Sequence, residues 1–378
     1  MGDATATAKV PAARKWILLN PGPVVTTDRV KAAMSGPDLC HREVEFSDLL
    51  ARIRAKLLKA LACEATHTVA VLTGSGTAAV EAAVSSSVSA GRKIGVLVNG
   101  VYGERICEMA KAHGIETVEL RQPWGEPIDL ARAEAIVADA GVEVVAMVHH
   151  ETTTGLLNPV RAVGSMCARH GKKFLVDAIS SMAGEDLDLE RDHVDFVVGT
   201  ANKCFHGLPG LSFAWIRKSE MARISAAPKR SLYFHLPTYI TQQDKGDVPF
   251  TPAVQVAYAL EAALDELLTE GVTNRIARYK ARATEVRRAC DELGLGQMLA
   301  PEHRSNTITT IYLPEGVTYA ALHDHLKAAG FIIYAGQGAL SKTIFRIANM
   351  GELTSGDMAR LVGELTKALA AIRGGKGK

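Results

Sequence analysis

From about residue 66 the apolar positions fall into two kinds of stretch that alternate along the chain. Short runs rich in β-branched residues predict seven strands: THTVAVL at 66–72, KIGVLVN at 93–99, ETVELR at 116–121, VEVVAMVHH at 142–150, KKFLVDA at 172–178, DFVVGT at 195–200 and LSFAWIR at 211–217. Four of the intervening stretches carry their apolar residues at helical spacing: TAAVEAAVSSSV at 77–88, YGERICEMAKAHG at 102–114, IDLARAEAIVADA at 128–140 and LNPVRAVGSMCARHG at 157–171. The last has Pro159 near its start and Gly171 just past its end, where helix termini favour these residues. Alternating strands and helices mark the α/β class. Because the strands are mostly apolar throughout, both faces of the sheet must be covered. The pattern therefore predicts a doubly wound, mainly parallel, seven-stranded sheet.

The pattern changes after about residue 250. Two long helical stretches, 249–271 and 272–294, precede TITTIYL, a helix at 318–329, FIIYAG and FRIANMG, which together read as a compact α+β unit. The expected organisation is a flexible arm at 1–17, a large domain at 18–255 and a smaller C-terminal domain at 256–378.

Composition narrows the functional classes. The 43 basic residues nearly cancel the 41 acidic ones, giving a net charge of +2, which argues against nucleic acid as a partner. Six cysteines are scattered without a C-x-x-C pair, as expected of a reducing compartment, so a cytoplasmic location is expected. No apolar run approaches the roughly 18 to 20 residues that a membrane span needs.

Three segments carry candidate chemistry. In TGSGTAAVE at 73–81, glycines at a strand-to-helix turn leave backbone N–H groups at a helix start free to hold a phosphate, with Ser75 and Thr77 adding hydroxyls. The turn also fits a dinucleotide fingerprint, but Asn99 stands where that fold expects an acid, and the Lys of a P-loop is missing. A turn with glycines for geometry alone is the plainer reading. Asp177 ends an apolar strand, at the end of the sheet where ligands bind in such folds; it suits a helix cap, a metal ligand or a partner for a protonated nitrogen. Lys203, in GTANKCFHGLPG, lies just past the next strand and suits a surface charge, an anion clamp or a Schiff-base amine. A phosphate cradle, an acid and an amine at one end of one sheet together match the phosphate, ring nitrogen and aldehyde of pyridoxal phosphate.

The ordered segments TGSGTAAVE, NGVYGER (99–105), HHETTTGLLNP (149–159), VDAISS (176–181), ANKCFHGLPG (201–210) and FRIANMGE (345–352) resemble the class V aminotransferases of fold type I. The resemblance begins at LLNPGP (18–23) and covers nearly the whole chain. It implies a fold type I PLP-dependent transferase with Lys203 holding the cofactor and Asp177 paired with its ring nitrogen. It further implies that Ser75, Gly76 and Thr77 bind the phosphate, Tyr102 stacks on the ring and Thr152 reaches the phenolic oxygen. Thr251 in PFTPAVQ would contact the phosphate of the neighbouring subunit, which implies a homodimer with the active site at its interface. Arg346, in an apolar strand where a charge needs a partner, reads as an internal ion pair or a substrate anion clamp, and the resemblance favours the clamp. Arg230 in KRSLYF is a second anion candidate on the same ground. The substrates implied are an aminophosphonate and a 2-oxo acid, with the alanine:glyoxylate and serine:pyruvate members of the class as the alternative.

Other residues are weaker candidates. His149 and His150 are adjacent and face opposite ways if their strand continues, and His323 and His325 sit at i and i+2 of a helix, so no metal site is expected. Cys204 reads as packing or as a reactive thiol. His41 and Arg42 would add positive charge near the site. Rival readings are a Rossmann oxidoreductase, a PLP-bound regulatory module and a PLP lyase with a catalytic cysteine.

Overall fold

The computed structural model describes residues 16–374; residues 1–15 of the expected arm and residues 375–378 lie outside the described part. All seven expected strands form one sheet, in the order His67–Thr73, Leu211–Arg217, Phe196–Thr200, Lys173–Asp177, Val142–Val148, Lys93–Val98 and Thr117–Arg121. Leu211–Arg217 runs antiparallel to both neighbours, and the other pairings are parallel. The exception follows from chain length. Only residues 201–210 join it to the preceding strand, too few for the helical crossover that a parallel strand requires.

The apolar strands are explained by two cores. Along Val142–Val148, Val145 and Met147 enter one cluster, while Val144, Ala146 and Val148 enter the other. Helices Gly76–Ser87 and Val101–Ala112 cover the second face through residues such as Ala79, Val80 and Ile106. The first face is covered in part by Val44–Ala60 and Val254–Glu270, through Leu49, Ile53, Leu57, Leu260 and Leu264. Helix Val160–Arg169 begins after Pro159 and ends before Gly171, whose φ of 65° is the left-handed value a helix stop needs.

A separate cluster holds the C-terminal unit together. Ile311, Phe331, Phe345, Leu361 and Leu365 pack with Val286 of the long helix Val272–Glu292. Its small sheet orders Ile308–Tyr312, Ile344–Ala348 and Tyr334–Ala335. Ile17–Leu18 pairs in parallel with Phe331–Ile332, and Ile17 and Leu19 join the same cluster, so the chain passes through this unit before entering the sheet domain. That path carries Pro21 and Gly22 against Lys203, in the turn after strand Phe196–Thr200.

Candidate active site

Parallel strands end at one edge of the sheet, and the loops that follow them build the site. Asp177 is the last residue of its strand, Thr200 the last of the next, and Lys203 lies in the turn after it. Together with the start of helix Gly76–Ser87 they enclose a cavity of about 250 Å³, whose wall includes Ser75, Gly76, Thr77, Tyr102, Thr152, Asp177 and Lys203. Seven of the residues expected from the sequence thus converge. Gly76 is required by close approach: a Cβ there would lie 2.7 Å from Ile179 Cδ1.

Asp177 is 5% exposed, and desolvation raises its carboxyl to about 6 despite the N–H of Ile179, which donates to Oδ1 at 3.0 Å, and the nearby charges of Arg105 and Lys203. Among the described residues it forms no ion pair. Lys203 is half-buried, and desolvation lowers its amine to about 8. That amine donates to the carbonyl of Pro21. Gly22 presses so closely on the lysine that a Cβ would lie 2.6 Å from Lys203 Cδ, and its φ of +106° suits glycine alone. The turn is braced from behind by helix Val272–Glu292. Buried Arg275, paired with Glu270 at 2.7 Å, donates to the Cys204 carbonyl at 2.8 Å, and Tyr279 meets His206.

The cavity's unsatisfied groups fit a ligand with a phosphate, a ring nitrogen and an oxygen acceptor. Ser75 makes no side-chain cap to its helix, leaving hydroxyl and backbone donors for an anion. Thr152 Oγ1 is buried and unpaired, a donor awaiting an acceptor. Asp177 would pair with a protonated nitrogen, and Lys203 at about 8 holds a useful fraction of free amine near neutral pH.

Arg346 stands just behind this wall. It is 1% exposed, and its partners are carbonyls: Nε and Nη2 donate to Ala335 O at 3.0 and 2.7 Å, and Nη1 donates to Thr152 O. The internal ion pair is therefore not what it forms; among the described residues no carboxylate neutralises it. Two of a guanidinium's five N–H donors stay unspent by these three bonds. Thr251 is exposed and lies outside the cavity of its own chain.

Arg230 corrects an expectation. Instead of facing the cavity, it donates to the carbonyls of Ser85, Val88 and Ser89 at 3.1, 2.6 and 3.5 Å, so it caps the far end of helix Gly76–Ser87. Twelve residues of helix place it about 18 Å from the phosphate turn at 1.5 Å per residue. Arg42 is also engaged elsewhere, pairing with Asp247 at 2.5 Å. Cys204 is fully buried and its thiol is pushed up to about 12 by desolvation, so it packs as a protonated side chain.

Several site residues were not anticipated. Arg105 lines the cavity, donates to Thr77 Oγ1 at 3.3 Å and lies 4.8 Å over the Tyr102 ring. The signal was its position three residues after Tyr102, which puts both on one helix face. His150 also lines the cavity; Nδ1 sits 3.2 Å from Ser180 O, while buried Nε2 has no partner and desolvation lowers the ring to about 3. The strand ends at Glu151 and Thr152 begins a turn, so no strand periodicity in the sequence marked His150. Glu151 is buried beside them and raised to about 7 by desolvation, while accepting from Tyr102 N at 3.2 Å and Thr153 Oγ1 at 2.6 Å. Its carboxyl thereby anchors the start of the helix that carries Tyr102 and Arg105.

A family model described as aminotransferase class-V matches residues 29–357. A 2-aminoethylphosphonate-pyruvate transaminase of Bacillus cereus (strain AH820) is 34% identical over 359 residues, covering 94% of this chain and 98% of that protein. Among solved structures, pyridoxamine-pyruvate aminotransferase from Mesorhizobium loti superposes with a TM-score of 0.89 at 27% identity, covering 96% of this chain and 93% of that one. Alanine-glyoxylate aminotransferase from Nostoc sp. gives 0.89 at 25% identity, covering 98% and 99%.

Proposed function

The chain belongs to the class V aminotransferases, and from that premise we propose that it transfers the amino group of 2-aminoethylphosphonate to pyruvate, giving phosphonoacetaldehyde and L-alanine, with pyridoxal 5'-phosphate as cofactor. Its fold is that of the fold type I PLP-dependent transferases. The observation that carries the reading is the convergence of Lys203, Asp177 and the Ser75–Gly76–Thr77 turn on one cavity. The choice of substrate is supported by the 34% identical relative, while a buried guanidinium at Arg346 without an ion-pair partner among the described residues suits an acidic substrate of either kind.

When bound, the cofactor supplies an aldehyde for amines and a ring that withdraws electrons from the amine-bearing carbon. Lys203 would have two tasks: its Nζ would hold the cofactor between turnovers and, when free, would take a proton from the amine-bearing carbon of the substrate. An amine near 8 can serve as that base at neutral pH. Asp177 keeps the ring nitrogen protonated, and a cation there would return its carboxyl toward the ordinary ionised state. Tyr102 would flank the ring and Thr152, whose buried hydroxyl is unpaired, would donate to the phenolic oxygen. Arg346 orients the acidic head of each substrate in turn, phosphonate or carboxylate, through its remaining donors. Thr251, exposed on its own chain, would reach the phosphate of the neighbouring subunit in a homodimer, and the scattered cysteines without a C-x-x-C pair suit a cytoplasmic location.

The alternative within the family is an alanine:glyoxylate or serine:pyruvate activity, supported by the Nostoc structure at TM-score 0.89. Half-reactions separate the two. Holoenzyme is mixed with 2-aminoethylphosphonate, alanine or serine, and loss of the lysine-bound cofactor's absorbance is followed. Fast loss with the aminophosphonate and with alanine, but slow loss with serine, is expected; loss with the amino acids alone would move the protein to the alternative. In Lys203→Ala that absorbance should not form at all.

A further inference from the structure

Arg105 lines the cavity and Arg346 stands just behind its wall, neither forms an ion pair among the described residues, and only Arg346 has been given a task. Arg346 is tied to carbonyls at the Thr152 side. Arg105 lies at the other end, on the phosphate turn: Nη1 donates to Thr77 Oγ1 at 3.3 Å. Its rotamer is supported by the Tyr102 ring 4.8 Å beneath it, three positions earlier on the same helix.

We infer that Arg105 is a ligand of the cofactor's phosphate, an inference that rests on the cofactor reading above. The argument is one of charge. A phosphate monoester carries about −1.5 to −2 near pH 7, whereas a helix start offers the equivalent of roughly +0.5. Ser75, Gly76 and Thr77 add hydroxyl and backbone donors but no charge. A full cation is needed to balance the remainder, and Arg105 is already hydrogen-bonded to one of the cradle's own hydroxyls. One bond leaves most of its N–H donors open, and the planar fork fits two phosphate oxygens as an ammonium cannot. Glu151 contributes indirectly, since its carboxyl accepts from the N–H groups of Tyr102 and Gly103 at 3.2 and 3.4 Å and so fixes the start of the helix that carries Arg105.

The test separates phosphate from ring. Full-length protein stripped of cofactor is titrated calorimetrically with pyridoxal phosphate and with pyridoxal, in the wild type, Arg105→Gln and Arg105→Lys. A lost charge-assisted bond predicts that Arg105→Gln raises the Kd for pyridoxal phosphate about 10- to 100-fold, with the Kd for pyridoxal unchanged within about twofold. Arg105→Lys, which keeps charge and stem, should fall between and guards against a poorly folded glutamine variant. Equal weakening of both ligands, or an unchanged Kd for pyridoxal phosphate, overturns the inference. An unchanged Kd with a raised KM for 2-aminoethylphosphonate would give Arg105 to the substrate instead. Failure of the wild type to bind pyridoxal phosphate would overturn the cofactor reading itself and this inference with it.

Discussion

Asp177→Asn should stabilise the cofactor-free protein while destroying its activity. The carboxyl has no ion-pair partner among the described residues, and desolvation raises it from 3.8 to about 6. A folded-state value above the unfolded one means that the folded chain binds the proton more tightly. Stability is then greatest below about 3.8, falls as pH rises through about 6, and levels off above. A shift of about two units corresponds to about 3 kcal/mol forfeited at pH 7.5, and about half that at pH 5. Asparagine keeps the oxygen that accepts from Ile179 and removes the charge. The value of about 6 already includes the attraction to Arg105 and Lys203, so a net gain of up to about 3 kcal/mol is expected at pH 7.5. Glu185, raised to about 8 by burial, is present in both proteins and cancels in the difference, whereas Glu151, raised to about 7 by burial first and also by the Asp177 charge, is relieved of that repulsion in the variant, which adds to the gain. The assay is urea unfolding at fixed protein concentration, at pH 7.5 and pH 5, with equal m-values as the condition for comparison. A variant no more stable than wild type at pH 7.5, or a gain that does not shrink toward pH 5, would refute the reasoning.

The other predictions concern neighbouring residues. Arg346→Ala should raise the KM for both substrates about 10- to 100-fold with a smaller effect on kcat; unchanged kinetics would move the anion clamp elsewhere. Arg230→Met should leave kcat and KM alone and lower stability by about 1 to 2 kcal/mol through the lost cap at the end of helix Gly76–Ser87. A raised KM there would return Arg230 to the substrate. Gly22→Ala, which meets Lys203 Cδ at 2.6 Å with φ at +106°, should cost at least about 1 kcal/mol of stability and most of the activity. Kinetics like those of the wild type would mean that the Pro21–Gly22 loop does not hold the lysine.

Much of the molecule was legible before folding. The seven strands and most of the helices followed from period, and Asp177 and Lys203 stood out because they interrupt apolar runs at strand ends. Helix Val44–Ala60 was not anticipated, although Phe46, Leu49, Ile53 and Leu57 carry its apolar face at helical spacing. Arg105 was legible in the same sense, as a same-face neighbour of Tyr102 on one helix. Arg230 was misread because a short similar segment says nothing about which end of a helix it will meet. The approach of Pro21 to Lys203 carried no local signal at all.

Periodicity and strand-end chemistry therefore belong to the sequence itself, because each depends on residues two to four apart and on the rule that ligands gather beyond the carboxyl ends of parallel strands. Tertiary structure decided everything that depends on distance and water. It brought Pro21 to a lysine 182 residues away, sent Arg230 to the distant end of helix Gly76–Ser87 and Arg105 to the near one, and buried Asp177. Desolvation and contact across the fold exist only once the whole chain has packed, and it is these that turn a strand-end acid and a loop lysine into a site whose carboxyl stands near 6 and whose amine stands near 8.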